Sequence, residues 1–301
     1  MMKTLLKQIT LISLCFNETI IAKPAVLREE SLTTTLTTTL TTTSAISSMP
    51  VVVLHGLESS SVKMEPFCNW LTQSFNVRVF NIEIGTGEKT SISTSLNKQL
   101  DELCEIIYKI DDLQEGFNFI GMSQGGLLAR GYVERCNLYP VNNLITLVTP
   151  HGGEFIKNIK INMYNNFMQQ HFSVANYWRD PVQVETYLSG CLYLPILNNE
   201  LETDFSSDQK EQIKSLNNFV MVWSPYDIVL SPSESGKFSF FASDLQVISL
   251  KETDLYNKDL LGLKYLNDND RLHMYETNCS HVDHRNQECY SQFYPILSLY
   301  L

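Results

Sequence analysis

The chain has 301 residues, 22 Lys+Arg against 33 Asp+Glu, a formal charge of −11 and 44% hydrophobic residues. That length suits one large domain or two small ones, with a core that needs no metal or disulfide to hold it. The acidic balance argues against nucleic acid as the main partner. No charge-free apolar run approaches the ~18–20 residues that cross a bilayer, which argues against an integral membrane protein.

Residues 1–22 read as a secretory signal. Lys3 and Lys7 give a basic start, and Ile9 to Phe16 is a short apolar run with Thr10 and Ser13 as its polar members. Residues 23–48 read as a Thr-rich linker: nine of the eleven residues from Thr33 to Thr43 are Thr. Such a segment has no apolar face with which to offset its ordering entropy, so a disordered spacer is expected. Residues 49–301 are then a single folded domain.

Pro50 to Leu54 is β-branched, apolar throughout and ends in His55-Gly56, as expected of a parallel strand buried on both faces. Leu96, Leu100, Leu103 and Ile107 are spaced by three or four, which predicts a helix running to about Asp111. Phe117 to Ile120 is a second strand. It runs directly into Gly121-Met122-Ser123-Gln124-Gly125-Gly126, and Leu127 to Arg135 has helical spacing. Strand, G-x-S-x-G and helix together are the context of a nucleophile elbow. The Ser sits on a sharp, strained turn, the glycines let neighbouring backbone approach, and the helix aims N–H groups at developing negative charge.

A serine nucleophile needs a base and a group to orient it, in the chain order Ser, Asp/Glu, His. Asn218 to Trp223 is a third strand, and Asp227 follows it in a loop. The C-terminal ends of strands are where open α/β sheets keep functional groups. The last strand is expected at Arg271 to Thr277, which makes His273 structural. His281 follows that strand and is preferred as the base; His284, three residues later, is the alternative.

With these residues in place the chain resembles the palmitoyl-protein thioesterases, a branch of the α/β-hydrolases, from about Val51 to Leu301. His55-Gly56-Leu57, the Gly121–Gly126 motif, Ala175-Asn176-Tyr177-Trp178-Arg179-Asp180-Pro181, Asp227 with Pro232 five residues on, Leu261-Gly262-Leu263-Lys264 and Ser280-His281 carry the resemblance. It implies a mostly parallel central sheet flanked by helices. It also implies a catalytic triad of Ser123, Asp227 and His281, and an oxyanion hole from the backbone N–H groups of Leu57 and Gln124. The implied activity is removal of long-chain fatty acyl groups from S-acylated cysteines of proteins or peptides by a lysosomal enzyme; with the signal read above, secretion is the other location open, and a monomer is expected. Cys279 and Cys289 flank the base in a way that resembles the second of two animal branches, whose acyl preference is less clearly long-chain.

The segment at about 154–216 reads as a helical lid insert. Its density of Met and aromatic residues suits a groove for a flexible chain, with Phe167, Met168, Tyr177 and Trp178 as acyl-binding candidates. Simple packing of the insert on the core is the competing account of each. Cys15 lies in the signal, and the even number of other Cys favours disulfides in a secreted enzyme. The resemblance suggests the pairs Cys104–Cys136 and Cys279–Cys289; Cys68 and Cys191 are what is left over, and whether they pair stays open. No C-x-x-C, phosphate-binding Gly-rich loop or dinucleotide motif occurs, so neither metal nor cofactor is expected. The rival readings are an acyl-CoA thioesterase or a lipase/carboxylesterase with the same triad, and a catalytically inactive lipid-binding protein.

Overall fold

The computed structural model describes residues 49–301, so the expected signal peptide and Thr-rich linker lie outside the described residues. In chain order the elements are β1 (Val51–Leu54), α1 (Ser61–Phe75), β2 (Val79–Ile82), α2 (Glu88–Ser93), α3 (Leu96–Tyr108), β3 (Phe117–Met122), α4 (Gln124–Arg135) and β4 (Val141–Leu147). The insert follows as α5 (Asn166–His171), α6 (Val184–Gly190), α7 (Leu194–Leu197) and α8 (Ser206–Ser215). The chain then forms β5 (Asn218–Trp223), the short ribbon β6 (Phe240–Phe241) and β7 (Val247–Ile248), α9 (Asp254–Asn257), α10 (Leu263–Asp268), β8 (Leu272–Glu276) and α11 (Gln287–Leu297).

Six strands form one sheet in the order β2-β1-β3-β4-β5-β8, with every neighbouring pair parallel. Helices cover both faces, which is why the central strands are apolar without alternation. Val51, Val53, Ile120, Ile145, Val220 and Val222 meet Phe67 and Leu71 of α1 and Phe293 and Leu297 of α11 in one core cluster. Against the opposite face lies α4, flanked by α3 and α8. This is the α/β-hydrolase architecture expected from the sequence, and the insert is helical.

Strand and helix positions agree with the sequence pattern, with two instructive shifts at the ends. The helix expected to reach Asp111 stops at Tyr108, because Ile110 turns extended and Asp111–Leu113 form a separate 3-10 turn. The strand expected to end at Ile120 continues to Met122, where it pairs with Leu147 of β4. The extension brings the strand directly to the elbow serine.

Disulfides join Cys104 to Cys136, tying α3 to the end of α4, and Cys279 to Cys289, tying the loop after β8 to α11. Their sequence separations of 32 and 10 correspond to about 3–4 and about 2–3 kcal/mol of loop-closure stabilisation. Cys68 and Cys191 do not pair with each other; both are free and buried. Cys68 points from α1 into the core cluster that α1 shares with α11, while the Cys191 thiol in the insert donates to the Asn176 carbonyl at 3.1 Å. Burial pushes both thiols up to about 12, so neither supplies thiolate at neutral pH.

Candidate active site

Ser123 stands between β3 and α4 with φ 54° and ψ −127°, a conformation that L-residues adopt only when the surroundings impose it. Its N–H donates to the Leu147 carbonyl at 2.8 Å, and its own carbonyl accepts from Gly126 N–H at 2.9 Å. Two glycines make the turn sterically feasible. A Cβ on Gly121 would lie 2.6 Å from the Gly125 carbonyl oxygen, and one on Gly125 would collide with the His55 carbonyl. The turn is therefore wedged between the helix it starts and the loop after β1.

Asp227 lies four residues past the end of β5, where Asp227 N–H closes a turn onto the Ser224 carbonyl at 3.2 Å. Its Oδ1 accepts from Val229 N–H at 2.8 Å and Leu230 N–H at 3.0 Å, which leaves Oδ2 for one further partner. That partner is His281 Nδ1, at 2.6 Å. The other ring nitrogen, Nε2, lies 3.0 Å from Ser123 Oγ. A carboxylate can only accept, so Nδ1 carries the ring proton and Nε2 presents its lone pair to the serine hydroxyl. Both Asp227 and His281 are buried, in a setting where such hydrogen bonds are strong.

The other histidines are engaged elsewhere. His284 bonds the Ser280 carbonyl and Thr277 Oγ1 at 2.7 and 2.9 Å, and burial pushes its imidazole down to about 4. His273 bonds Asn218 Oδ1 at 3.0 Å within the sheet. His151 is fully buried against Phe238, with ring centroids 4.5 Å apart, and burial holds it well below the usual imidazole range.

Leu57 and Gln124 flank the serine. A Cβ on Gly56 would lie 2.8 Å from both Met122 O and Ser123 Cβ, so the loop carrying Leu57 packs directly on the elbow. Gln124 is the first residue of α4, and its side chain donates to the Ser91 carbonyl at 2.9 Å. Ser91 also holds the Leu57 loop and the insert, through Glu58 N–H to its Oγ at 3.1 Å and Ser173 Oγ to its carbonyl at 2.6 Å.

Of the insert candidates, Met168, Tyr177 and Trp178 are buried, whereas Phe167 is 42% exposed and stacks on His171. The Tyr177 carbonyl accepts from Glu154 N–H at 2.9 Å, and Trp178 packs against Phe155 with ring centroids 5.7 Å apart. A cavity of about 800 Å³ opens at the far end of α4 beside Glu134, Phe205 and Gln209, but Ser123, Asp227 and His281 do not line it. The candidate site rests on this hydrogen-bonded geometry and not on cavity volume.

Several polar residues around the site have no obvious motif. Glu83, directly after β2, bonds His55 and Ser61. Arg285 donates to Ser59 Oγ at 2.7 Å, tying the loop after His281 to the loop after β1. Glu154 is fully buried, with Oε2 accepting from Ser231 N–H at 3.1 Å. Burial holds its carboxyl well above the usual carboxylate range, and the neighbouring Asp227 charge adds to the effect. One signal was available for Glu83. It is an acidic residue immediately past a strand's C-terminal end, the criterion that singled out Asp227.

The family model for palmitoyl protein thioesterases matches residues 50–281, most of the chain. This chain belongs to the palmitoyl-protein thioesterase family. Palmitoyl-protein thioesterase 3 of Dictyostelium discoideum is 36% identical over 251 residues, covering 79% of this chain and 86% of the relative. Palmitoyl-protein thioesterase 1 of Caenorhabditis elegans is 29% identical, covering 79% and 88%. Lysosomal thioesterase PPT2-B of Xenopus laevis is 28% identical, covering 74% and 82%. Membership makes this thioesterase-family chain a hydrolase of the α/β class, and its serine elbow lies inside the matched region. Among the described residues no helix is long and apolar enough to cross a membrane.

Proposed function

We propose that this palmitoyl-protein thioesterase family member cleaves long-chain fatty acyl thioesters on cysteines of proteins or peptides, through an acyl-enzyme on Ser123. His281 Nε2 takes the hydroxyl proton as Ser123 Oγ bonds to the thioester carbonyl carbon. Asp227 keeps the imidazole in the competent tautomer and stabilises its cation. The Leu57 and Gln124 N–H groups receive the oxyanion, a role in which one donor is typically worth ~10²–10³ in rate. Collapse of the tetrahedral intermediate breaks the C–S bond. The cysteine leaves as the thiol with the proton from His281, which returns the imidazole to its neutral form; a leaving-group pKa of ~8.5 makes this step easy. Water, deprotonated by His281, then attacks the acyl-serine, and Ser123 leaves with that proton as the free fatty acid forms.

The observation that carries this reading is the unbroken line from Asp227 Oδ2 through His281 to Ser123 Oγ, at 2.6 and 3.0 Å. Phe167, Met168, Tyr177 and Trp178 of the insert are proposed to contribute to the acyl site, where burial of each methylene is worth ~0.8 kcal/mol. A lysosomal or secreted location is proposed from the expected signal peptide and from relatives that bear lysosomal thioesterase names. The test is labelling by a fluorophosphonate with the modified residue mapped by mass spectrometry. The reading expects a single adduct on Ser123, lost in Ser123→Ala and in His281→Ala. An adduct elsewhere, or hydrolysis undiminished in Ser123→Ala, overturns it.

A further inference from the structure

We propose that Glu83 is a positioning residue that fixes the Leu57 oxyanion loop by bridging both of its ends; this rests on the assignment of Ser123 and Leu57 above. The sheet register creates the bridge. Leu54 of β1 pairs with Ile82 of β2, so the next residues, His55 and Glu83, leave the sheet side by side. Glu83 Oε1 lies 2.7 Å from His55 Nε2 at the start of the loop. Its Oε2 accepts from both Ser61 N–H and Ser61 Oγ, each at 2.8 Å, at the loop's end. Leu57 lies between these two anchors.

The anchors bear on the oxyanion donor for two reasons. His55 is buried, and its Nδ1 lies 3.0 Å from the carbonyl oxygen of the Gly56–Leu57 peptide, so the ring orientation that Glu83 holds bears on the peptide that carries the Leu57 N–H. At the other end Ser60, in the N-cap position of α1, makes no side-chain cap, so the Glu83 carboxylate takes over the first free N–H of that helix. Gly87 gives the carboxylate room: a Cβ there would stand 2.8–2.9 Å from its three terminal atoms. An oxyanion hole works by donors held in place before the charge forms, so a loop free to drift by about 1 Å loses rate rather than substrate affinity.

The experiment compares Glu83→Gln, Glu83→Asp and Glu83→Met with the wild type, measuring kcat, KM and Tm on p-nitrophenyl butyrate. That ester uses the oxyanion hole whatever the natural leaving group, so a wrong thioester assignment does not obscure the result. Gln keeps the reach, accepts from Ser61 and donates to Nε2. Asp keeps the charge but is one methylene too short to touch both ends. Met keeps the bulk and makes neither bond. The expected order of kcat is Gln above Asp and Met, the last two lowered about 10–100-fold with KM within about 3-fold of wild type. His55→Gln combined with Glu83→Met should be no more than about 3-fold below the slower single variant, since both break one bridge. The proposal is overturned by Asp matching or exceeding Gln, by folded Glu83→Met with kcat within about 3-fold of wild type, or by losses that multiply in the double variant. A purely structural cap predicts the second of these results: a lower Tm with kcat untouched.

Discussion

At the residue scale the site is a problem in proton placement. Asp227 spends one oxygen on two backbone N–H groups and the other on His281. Asp227→Asn offers an amide instead, which favours the wrong imidazole tautomer; a kcat loss of ~10³–10⁴ with KM little changed is expected in steady-state kinetics, as in other serine hydrolases. Glu154 supplies a second, separate titration. Its folded-state carboxyl is held above the unfolded value of ~4.3 by burial, so the folded state binds a proton that the unfolded state releases. The stabilisation is complete below ~4.3 and is lost as pH rises through the folded value. Glu154→Gln, which carries no titrating proton, should therefore flatten the decline of Tm with rising pH. Thermal melts of both proteins from about pH 4.5 to 8.5 check this, and parallel slopes would contradict it. That Ser123, Asp227 and His281 come together was legible in the sequence because each follows a recognisable strand. Glu154 was not, since nothing in the sequence shows that a glutamate after His151-Gly152-Gly153 is buried.

At the element scale, parallel register does the positioning. Every strand of the main sheet delivers its C-terminal end to the same edge, so loops far apart in sequence meet there: His55 to Ser61, Ser123, Asp227 and His281. The α3 period and the apolar strands were readable because burial on helical stripes and on both sheet faces leaves a pattern. The insert was less readable. Its apolar composition suits core packing and a groove equally well, and the side chains alone do not separate Met168, buried, from Phe167, exposed. The sequence left open whether Cys68 pairs with Cys191 for a related reason: a leftover count says nothing about which face of the sheet each residue occupies, and both are free and buried. The Cys279–Cys289 bond closes a short loop around His281. Removing it with Cys279→Ser and Cys289→Ser together should cost about 2–3 kcal/mol, a Tm drop of about 5–10 °C for a domain this size, measured by calorimetry. Lower kcat at temperatures where the variant is still folded is also expected, because the base loop loses a tether.

At the scale of the whole molecule the reading is of a sheet edge that supplies the chemistry and an insert that supplies affinity for the chain. Polar machinery at the edge is indifferent to the length of hydrocarbon beyond the carbonyl carbon, so selectivity has to come from apolar burial. On that account kcat/KM for acyl thioesters rises from C4 to C16, at up to tenfold for each ~1.4 kcal/mol of added burial. A flat profile across that series would remove the insert from the acyl site while leaving the elbow intact. The most direct measurement is hydrolysis of a palmitoyl-cysteine peptide beside palmitoyl-CoA and a matched oxygen ester, with Ser123→Ala as control. The account predicts preference for the cysteine thioester and loss of at least ~10³ of that activity in Ser123→Ala. Preference for the CoA thioester or the oxygen ester, or turnover that survives the substitution, would contradict it.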